Sequence, residues 1–310
     1  MAGGAARRPS PVTIPLQARG IRRAFRRAFG RPPVVAIAEA TFELGGGEIA
    51  CLIGSDGAGK TTLLGMAAGR LRPDAGVVRI EGQPAHLPEA RRIVGLAPRD
   101  AAFPPGLNVR EMLSYGASCH ATGRARADLV REAIEVAGLD GIVHRQAAAL
   151  ALSDARRLLL ALAALGGRRV LLLDEPFTGL DAIARRDLGE RLQRLAAAGA
   201  SVLLSSADPI GLERLIDRVL VLRAGRLVRI SPAAALLGGR VLEVMLEAPP
   251  RQPPPGFRVT ATGIEADLGH QTAEAALALC RAHRLAVRGS RVRFRTLDEA
   301  TLDVEDVAAR

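Results

Sequence analysis

Nine consecutive residues constrain this chain more than any others: Gly54-Ser55-Asp56-Gly57-Ala58-Gly59-Lys60-Thr61-Thr62. They fit the pattern G-x-x-x-x-G-K-[ST], and their flanks supply the context that the pattern requires. Ile49-Ala50-Cys51-Leu52-Ile53 before them is an unbroken apolar run, the signal of a buried strand. Leu63, Leu64 and the segment 65–70 after them read as a helix. Between a strand and a helix N-terminus, the glycines allow successive backbone N–H groups to turn inward around an anion. The spacing assigns Lys60 to the outer phosphates of a nucleotide and the Thr61 hydroxyl to a magnesium ion. Lys60 is the single lysine in a chain with 43 basic residues. A compact ammonium therefore survives where a planar guanidinium would not fit the same cradle.

Composition narrows the alternatives. At 310 residues and 48% hydrophobic content, the chain is long enough for one large domain and a small one. The net charge of +11 allows a nucleic-acid or anionic membrane partner. Aromatic stacking platforms are scarce, however, with no Trp, one Tyr and seven Phe, so nucleic acid is disfavoured. Much of the excess charge is arginine near the N-terminus, including Arg22, Arg23, Arg26, Arg27 and Arg31. Cys51, Cys119 and Cys280 lie far apart without a CxxC or His/Cys cluster, which points to a reducing compartment without structural zinc. The basic start lacks an apolar core of the secretory kind, and every long apolar run is broken by charge, as at Gly166-Gly167-Arg168-Arg169.

Residues 1–12 read as a disordered basic segment. Strand signals follow at 14–21, expected at a sheet edge, and at 34–44, with a further strand at 77–80 ending in Glu81-Gly82 and another at 93–97. From 109 to 150 the spacing turns helical, and the block reads as an inserted helical subdomain spanning about 100–158, with Met112 and Tyr115 as packing groups. Strands resume at 170–173, followed by a helix at 182–198, a strand at 201–206, a helix at 211–217 and strands at 219–222 and 226–230. This alternation implies a doubly wound α/β sheet. The main domain is expected over 13–235, and residues 236–310 read as a small α+β appendage beyond a composition change near Ser231-Pro232, with a proline-rich stretch at 249–255.

Asp174-Glu175, at the end of the apolar run Val170-Leu171-Leu172-Leu173, is the acidic pair that a phosphate loop needs. The aspartate suits a magnesium ion and the glutamate suits polarisation of an attacking water. These motifs, with Leu152-Ser153-Asp154-Ala155-Arg156, Thr178-Gly179-Leu180-Asp181 and Asp217-Arg218-Val219, resemble the ATP-binding subunit of ABC transporters over about residues 14–230. The fold implied is a phosphate-loop NTPase of the ABC ATPase type. The resemblance further implies ATP and Mg2+ as cofactors, Asp174 and Thr61 at the metal, and Glu175 as catalytic base with Lys60. It implies Gly179-Leu180-Asp181 against a second cassette and Ser153 donating to the ATP of that second cassette. An aromatic stacks on adenine in this family, for which Phe25 and Phe29 are the candidates.

The expected partners are a second ATP-binding cassette and a transmembrane permease touched by residues 101–115, at the cytoplasmic face of the cell membrane. The tail, with Thr296-Leu297-Asp298-Glu299, is similar to the small C-terminal domain of drug and polysaccharide exporters, so export is the expected direction. A soluble ABC ATPase acting on ribosome or nucleic acid is the alternative, against which the single cassette and the absence of sustained heptads weigh. A phosphate-loop small-molecule kinase is disfavoured by Ser153 and Thr178–Asp181 in this order.

Three family positions are altered. Asp154 and Ala155 stand for two signature-loop glycines and Arg156 for the glutamine after them. A carboxylate about 6 Å from a phosphate charge costs about 3 kcal/mol at an effective dielectric near 20, unless Arg156 turns inward to offset it or Asp154 points away. Arg99 stands at the Q-loop glutamine, where a guanidinium repels magnesium but pairs with phosphate directly. Ala207 stands at the switch histidine, and a methyl group cannot sense a phosphate. The expectation is a cassette that binds ATP but hydrolyses it slowly, or one that forms the degenerate half of an asymmetric pair.

Overall fold

The computed structural model describes residues 14–26, 32–100, 102–207, 211, 212, 214–233, 240–248, 250, 252–268 and 272–294. These fall into two compact units, one holding the described residues up to 207 and 214–230, the other residues 211 and 212 and those from 231 on.

In the first unit the strands are β1 (Leu16–Phe25), β2 (Val34–Leu44), β3 (Ile49–Ile53), β4 (Ala75–Ile80), β5 (Gln83–Pro84), β6 (Val94–Ala97), β7 (Val170–Leu173), β8 (Ser201–Ser206), β9 (Arg218–Arg223) and β10 (Arg226–Pro232). The helices are α1 (Lys60–Ala67), α2 (Pro88–Arg92), α3 (Val109–Ser118), α4 (Gly123–Ala137), α5 (Leu152–Ala164) and α6 (Ala182–Ala197). One mixed sheet takes all ten strands in the order β5-β4-β1-β2-β10-β9-β3-β8-β7-β6.

The parallel half, β9-β3-β8-β7-β6, is built from the apolar runs. All residues of β3 and of β7 are buried, as expected of strands covered on both faces. Each fully buried Leu or Val side chain there contributes roughly 1.5–3 kcal/mol. Leu172, Leu203, Leu52 and Leu220 from four neighbouring strands join Leu63 and Leu64 of α1 in one core.

Two expectations are corrected here. The antiparallel half means that the sheet is not doubly wound throughout: β1 pairs antiparallel with both β2 and β4. It is therefore an internal strand and not an edge. Its burial alternates imperfectly because its register shifts between Ala18 and Ala24, and that irregularity hid its two-sided pairing in the one-dimensional pattern. Residues 211, 212 and 214–217 form turns and no helix. Gly211 at φ 81 and the shortness of the segment deny it a first turn.

The helical block packs α3, α4 and α5 around Val109, Leu113, Ile134, Leu139, Leu158 and Leu165. Asn108 and Glu111 close a reciprocal capping box at the start of α3. Gly138, at φ 61, ends α4 in the left-handed conformation. Met112 is buried in this block, whereas Tyr115, expected to pack, is 71% exposed. It sits three residues before the end of a short amphipathic helix.

The second unit contains β11 (Arg240–Leu246), β12 (Phe257–Thr260), β13 (Gly263–Asp267), α7 (Ala273–Ala282) and β14 (Val287–Phe294). Its antiparallel sheet runs β12-β13-β11-β14. Leu242, Val244, Phe257 and Ile264 form its core with Ala276 and Cys280 of α7. Among the described residues no helix is long and apolar enough to cross a membrane.

Candidate nucleotide site

The C-terminal ends of β3, β7 and β8 lie side by side, and each delivers one part of the site. Beyond β3 the glycine loop curls into α1. Gly59 holds φ 108, and a Cβ on it would collide with the Ala36 carbonyl. Only glycine satisfies both demands. The Gly225 N–H donates to the Ala58 carbonyl at 3.0 Å and the Gly225 carbonyl accepts from Ala38 N–H at 2.8 Å, so the turn between β9 and β10 braces the loop. No side chain caps α1, which leaves its first N–H groups available to an anion.

Lys60 is 6% exposed. Its ammonium donates to the carbonyls of Gly54 at 2.7 Å and Ser55 at 3.3 Å, and lies 3.2 Å from Glu175 Oε1. Asp56 Oδ1 stands 4.0 Å from the same ammonium and 3.6 Å from the Arg99 guanidinium. The Thr61 hydroxyl donates to Asp174 Oδ2 at 2.7 Å. These two oxygens form a hard donor set of the kind magnesium takes.

Beyond β7 the backbone of Glu175 turns into the left-handed region at φ 50, a conformation that costs a non-glycine residue on the order of 1 kcal/mol. It is held there by four contacts. Glu175 N–H donates to Ser205 Oγ at 2.9 Å, and that hydroxyl donates onward to Asp174 Oδ1 at 2.6 Å. Glu175 Oε2 accepts from the Thr178 hydroxyl at 2.8 Å and from Ala207 N–H at 3.2 Å, while Lys60 faces Oε1. The backbone of Ala207 thus reaches the glutamate although its side chain cannot. Behind the loop, burial pushes the Cys51 thiol far above its ordinary range; Glu175 adds to the shift and Lys60 opposes it.

A cavity of about 270 Å³ opens over these groups. It is lined by Phe25, Val34, Val35 and Ala36 together with Asp56, Gly57, Gly59, Lys60, Thr61, Thr62, Arg99 and Glu175. The Arg23 guanidinium lies 4.9 Å from the centre of the Phe25 ring. A larger cavity of about 460 Å³ lies between the helical block and α6, away from every phosphate-binding group.

Of the residues singled out from sequence, Phe25, Asp56, Gly57, Gly59, Lys60, Thr61, Thr62, Arg99 and Glu175 line one cavity, and Asp174 joins them through the Thr61 hydroxyl. Phe29 and Thr296-Leu297-Asp298-Glu299 lie outside the described residues. Ser153 sits in the first turn of α5 and does not line the cavity of its own chain. Asp154 is buried and turned aside, the second of the two ways in which its charge is kept from a phosphate. Its carboxylate takes Arg157 through Oδ1 and lies 3.8 Å from Arg145 through Oδ2. Arg157 also donates to the Gly138 carbonyl at 2.7 Å, fastening α5 to the end of α4. Leu152 reaches Gly179, where a Cβ would approach its methyl group to 2.8 Å. Asp181 caps α6 by accepting from Ala184 N–H at 2.8 Å.

The contacts of Thr178, Ser205 and the Ala207 backbone with Glu175 have no counterpart in the sequence reading. A small hydroxyl residue ending a buried strand was the available signal for Ser205. Parallel pairing sets Leu173 beside Leu204, and thus Asp174 beside Ser205, which only the register reveals.

The chain matches the ABC transporter family over residues 37–178. It is 36% identical over 204 residues to the Nod factor export ATP-binding protein I of Burkholderia lata, covering 65% of this chain and 67% of that protein. It is 36% identical over 210 residues to the molybdenum import ATP-binding protein ModC of Mycobacterium tuberculosis, covering 63% of this chain and 57% of that protein. Among solved structures it is similar to an ATP binding subunit of an ABC transporter, with a TM-score of 0.61, 26% identity and coverage of 71% of this chain and 91% of that one. The dimeric bacterial cassette MJ0796 shares the fold at a TM-score of 0.64 and 20% identity, over 70% of this chain and 98% of that one.

Proposed function

The chain belongs to the ABC transporter family of ATP-binding subunits, and on that premise we propose that ATP occupies the cavity around Lys60 and is hydrolysed there with Glu175 as base. The single observation that carries this reading is the convergence of Lys60 and Thr61, beyond β3, with Asp174 and Glu175, beyond β7, across the intervening strand β8. The loop N–H groups and the Lys60 ammonium bind the phosphates. Phe25 offers its ring to the adenine, and Arg99 adds a cation at the phosphate end. Thr61 and Asp174 would hold Mg2+, which neutralises phosphate charge when bound. Glu175, oriented by Thr178 and Ala207 N–H, takes the proton of an attacking water.

Ser153, remote from its own cavity, serves the ATP of a second cassette, so the working unit is a pair. The pair drives a transmembrane permease from the cytoplasmic face, with the exposed Tyr115 on the coupling surface. Export is the direction we favour, from the sequence resemblance of the tail to exporter C-terminal domains. With Arg99 at the Q-loop and Ala207 at the switch position, intrinsic turnover by the isolated chain is slow, or the chain forms the less active site of an unlike pair. The test is equilibrium binding of MgATP to the purified chain. Lys60→Ala should weaken binding about tenfold to a hundredfold, since it removes charge-assisted contacts of about 1.5–3 kcal/mol. Equal binding by wild type and Lys60→Ala would sink the reading.

A further inference from the structure

Two of the altered positions touch each other. Arg156 Nη1, in the second turn of α5, donates to the Arg99 carbonyl at 2.6 Å, across 57 residues of sequence. The contact follows from how α5 lies on β6. Gly95 in β6 has no Cβ, and one added there would strike the backbone of Ala163. The helix therefore rests directly on the strand at that point. Arg156 is seven residues before Ala163, two turns back on the same helix face and about 10.5 Å along the axis. Arg99 is four residues beyond Gly95, about 13 Å along extended chain. A helix running against the strand direction brings Arg156 beside Arg99, and the arginine stem bridges the remaining gap.

The setting favours a fixed guanidinium. Arg156 lies with Pro98, Leu159, Leu173, Asp174 and Pro176 around a small cavity, and its Nε is buried without a hydrogen-bond partner among the described residues. Burial presses the guanidinium below its usual value, while Asp100, Asp174 and Glu175 pull the other way and Arg99 adds to the depression. The Arg99 side chain is 42% exposed, and among the described residues its guanidinium pairs with Asp56 at 3.6 Å. An arginine so exposed loses rotamer entropy when a ligand immobilises it. Holding its peptide beforehand lowers the part of that cost due to the backbone.

We propose that Arg156 is a positioning residue for Arg99: by anchoring the Arg99 carbonyl, it aims the Arg99 side chain into the Lys60 cavity, where it meets nucleotide phosphate. The proposal rests on the ATP reading above. In it, the arginine at the end of the signature segment works within its own chain and ties the start of α5 to the wall of the nucleotide cavity.

A double-mutant cycle on the full chain tests it, with the dissociation constant of a fluorescent MgATP analogue as readout. Arg99→Ala and Arg156→Ala should each weaken binding, about threefold to tenfold. The double variant should be no weaker than Arg99→Ala alone, and Arg156→Lys, which keeps a long donor, should recover most of the affinity. A merely structural brace would lower stability without this coupling. Multiplying effects in the double variant, or unchanged affinity in a folded Arg156→Ala or Arg156→Gln, overturn the proposal. Lys60→Ala run in parallel separates the two failures. If it binds the analogue as well as wild type, the ATP reading falls, and the positioning role falls with it. If only the arginine effects are missing, the positioning role falls alone.

Discussion

Thr61 Oγ1 and Asp174 Oδ2 stand 2.7 Å apart, although 113 residues separate them in the chain. The hydroxyl ends the glycine loop after β3 and the carboxylate ends β7, with β8 between the two strands. Ser205 of β8 holds the other oxygen of Asp174, so the carboxylate has little freedom to turn. Asp174→Asn keeps the shape and removes the charge. The magnesium concentration that half-saturates ATP binding should rise about tenfold, the worth of one charge-assisted contact. An unchanged magnesium titration would remove Asp174 from the metal site.

Glu175 has two donors on one carboxylate oxygen and Lys60 on the other. Glu175→Gln should leave ATP bound and lower turnover by about a hundredfold or more, the usual worth of a positioned base. Thr178→Ala removes only one of the Oε2 donors and leaves Ala207 N–H. Its turnover should fall less, about threefold to tenfold, with affinity for ATP little changed. Single-turnover hydrolysis alongside equilibrium binding separates the two effects.

Asp154 faces Arg157 and Arg145 and not the cavity. Replacing it by the small residues Ala or Gly leaves those arginines without their carboxylate and loosens the join between α5 and α4. Unfolding by denaturant should show a loss of about 1–3 kcal/mol. A variant as stable as wild type would mean that the pair is only a surface contact.

His120 accepts from Arg168 at 2.8 Å through Nε2. Burial first, and then the neighbouring guanidinium, hold its folded value below the ordinary 6.5. The unfolded chain therefore takes up the proton more readily than the native one. Stability should be fully present above about pH 6.5 and decline as pH falls from there toward the folded value. His120→Gln retains an acceptor but cannot titrate, so its unfolding midpoint should vary less with pH over that window. Identical pH profiles for the two proteins would refute the assignment.

What the sequence alone determined is local. The apolar runs at 49–53 and 170–173 are strands because only burial on both faces suits them. The loop 54–62 is an anion cradle because its glycines permit a backbone that other residues resist, and the pair Asp174-Glu175 sits where such a strand ends. What only the tertiary structure decided is which groups meet. The internal place of β1, the inward turn of Asp154, the left-handed Glu175, the Ser205 bridge and the reach of Arg156 to Arg99 have no sequence signal. Each joins elements far apart in the chain through strand register or helix packing. A one-residue slip of β8 against β7 would turn Ser205 to the opposite face of the sheet without altering any motif. Motifs record conformations that residues impose on themselves, whereas partners follow from the long-range packing of strands and helices.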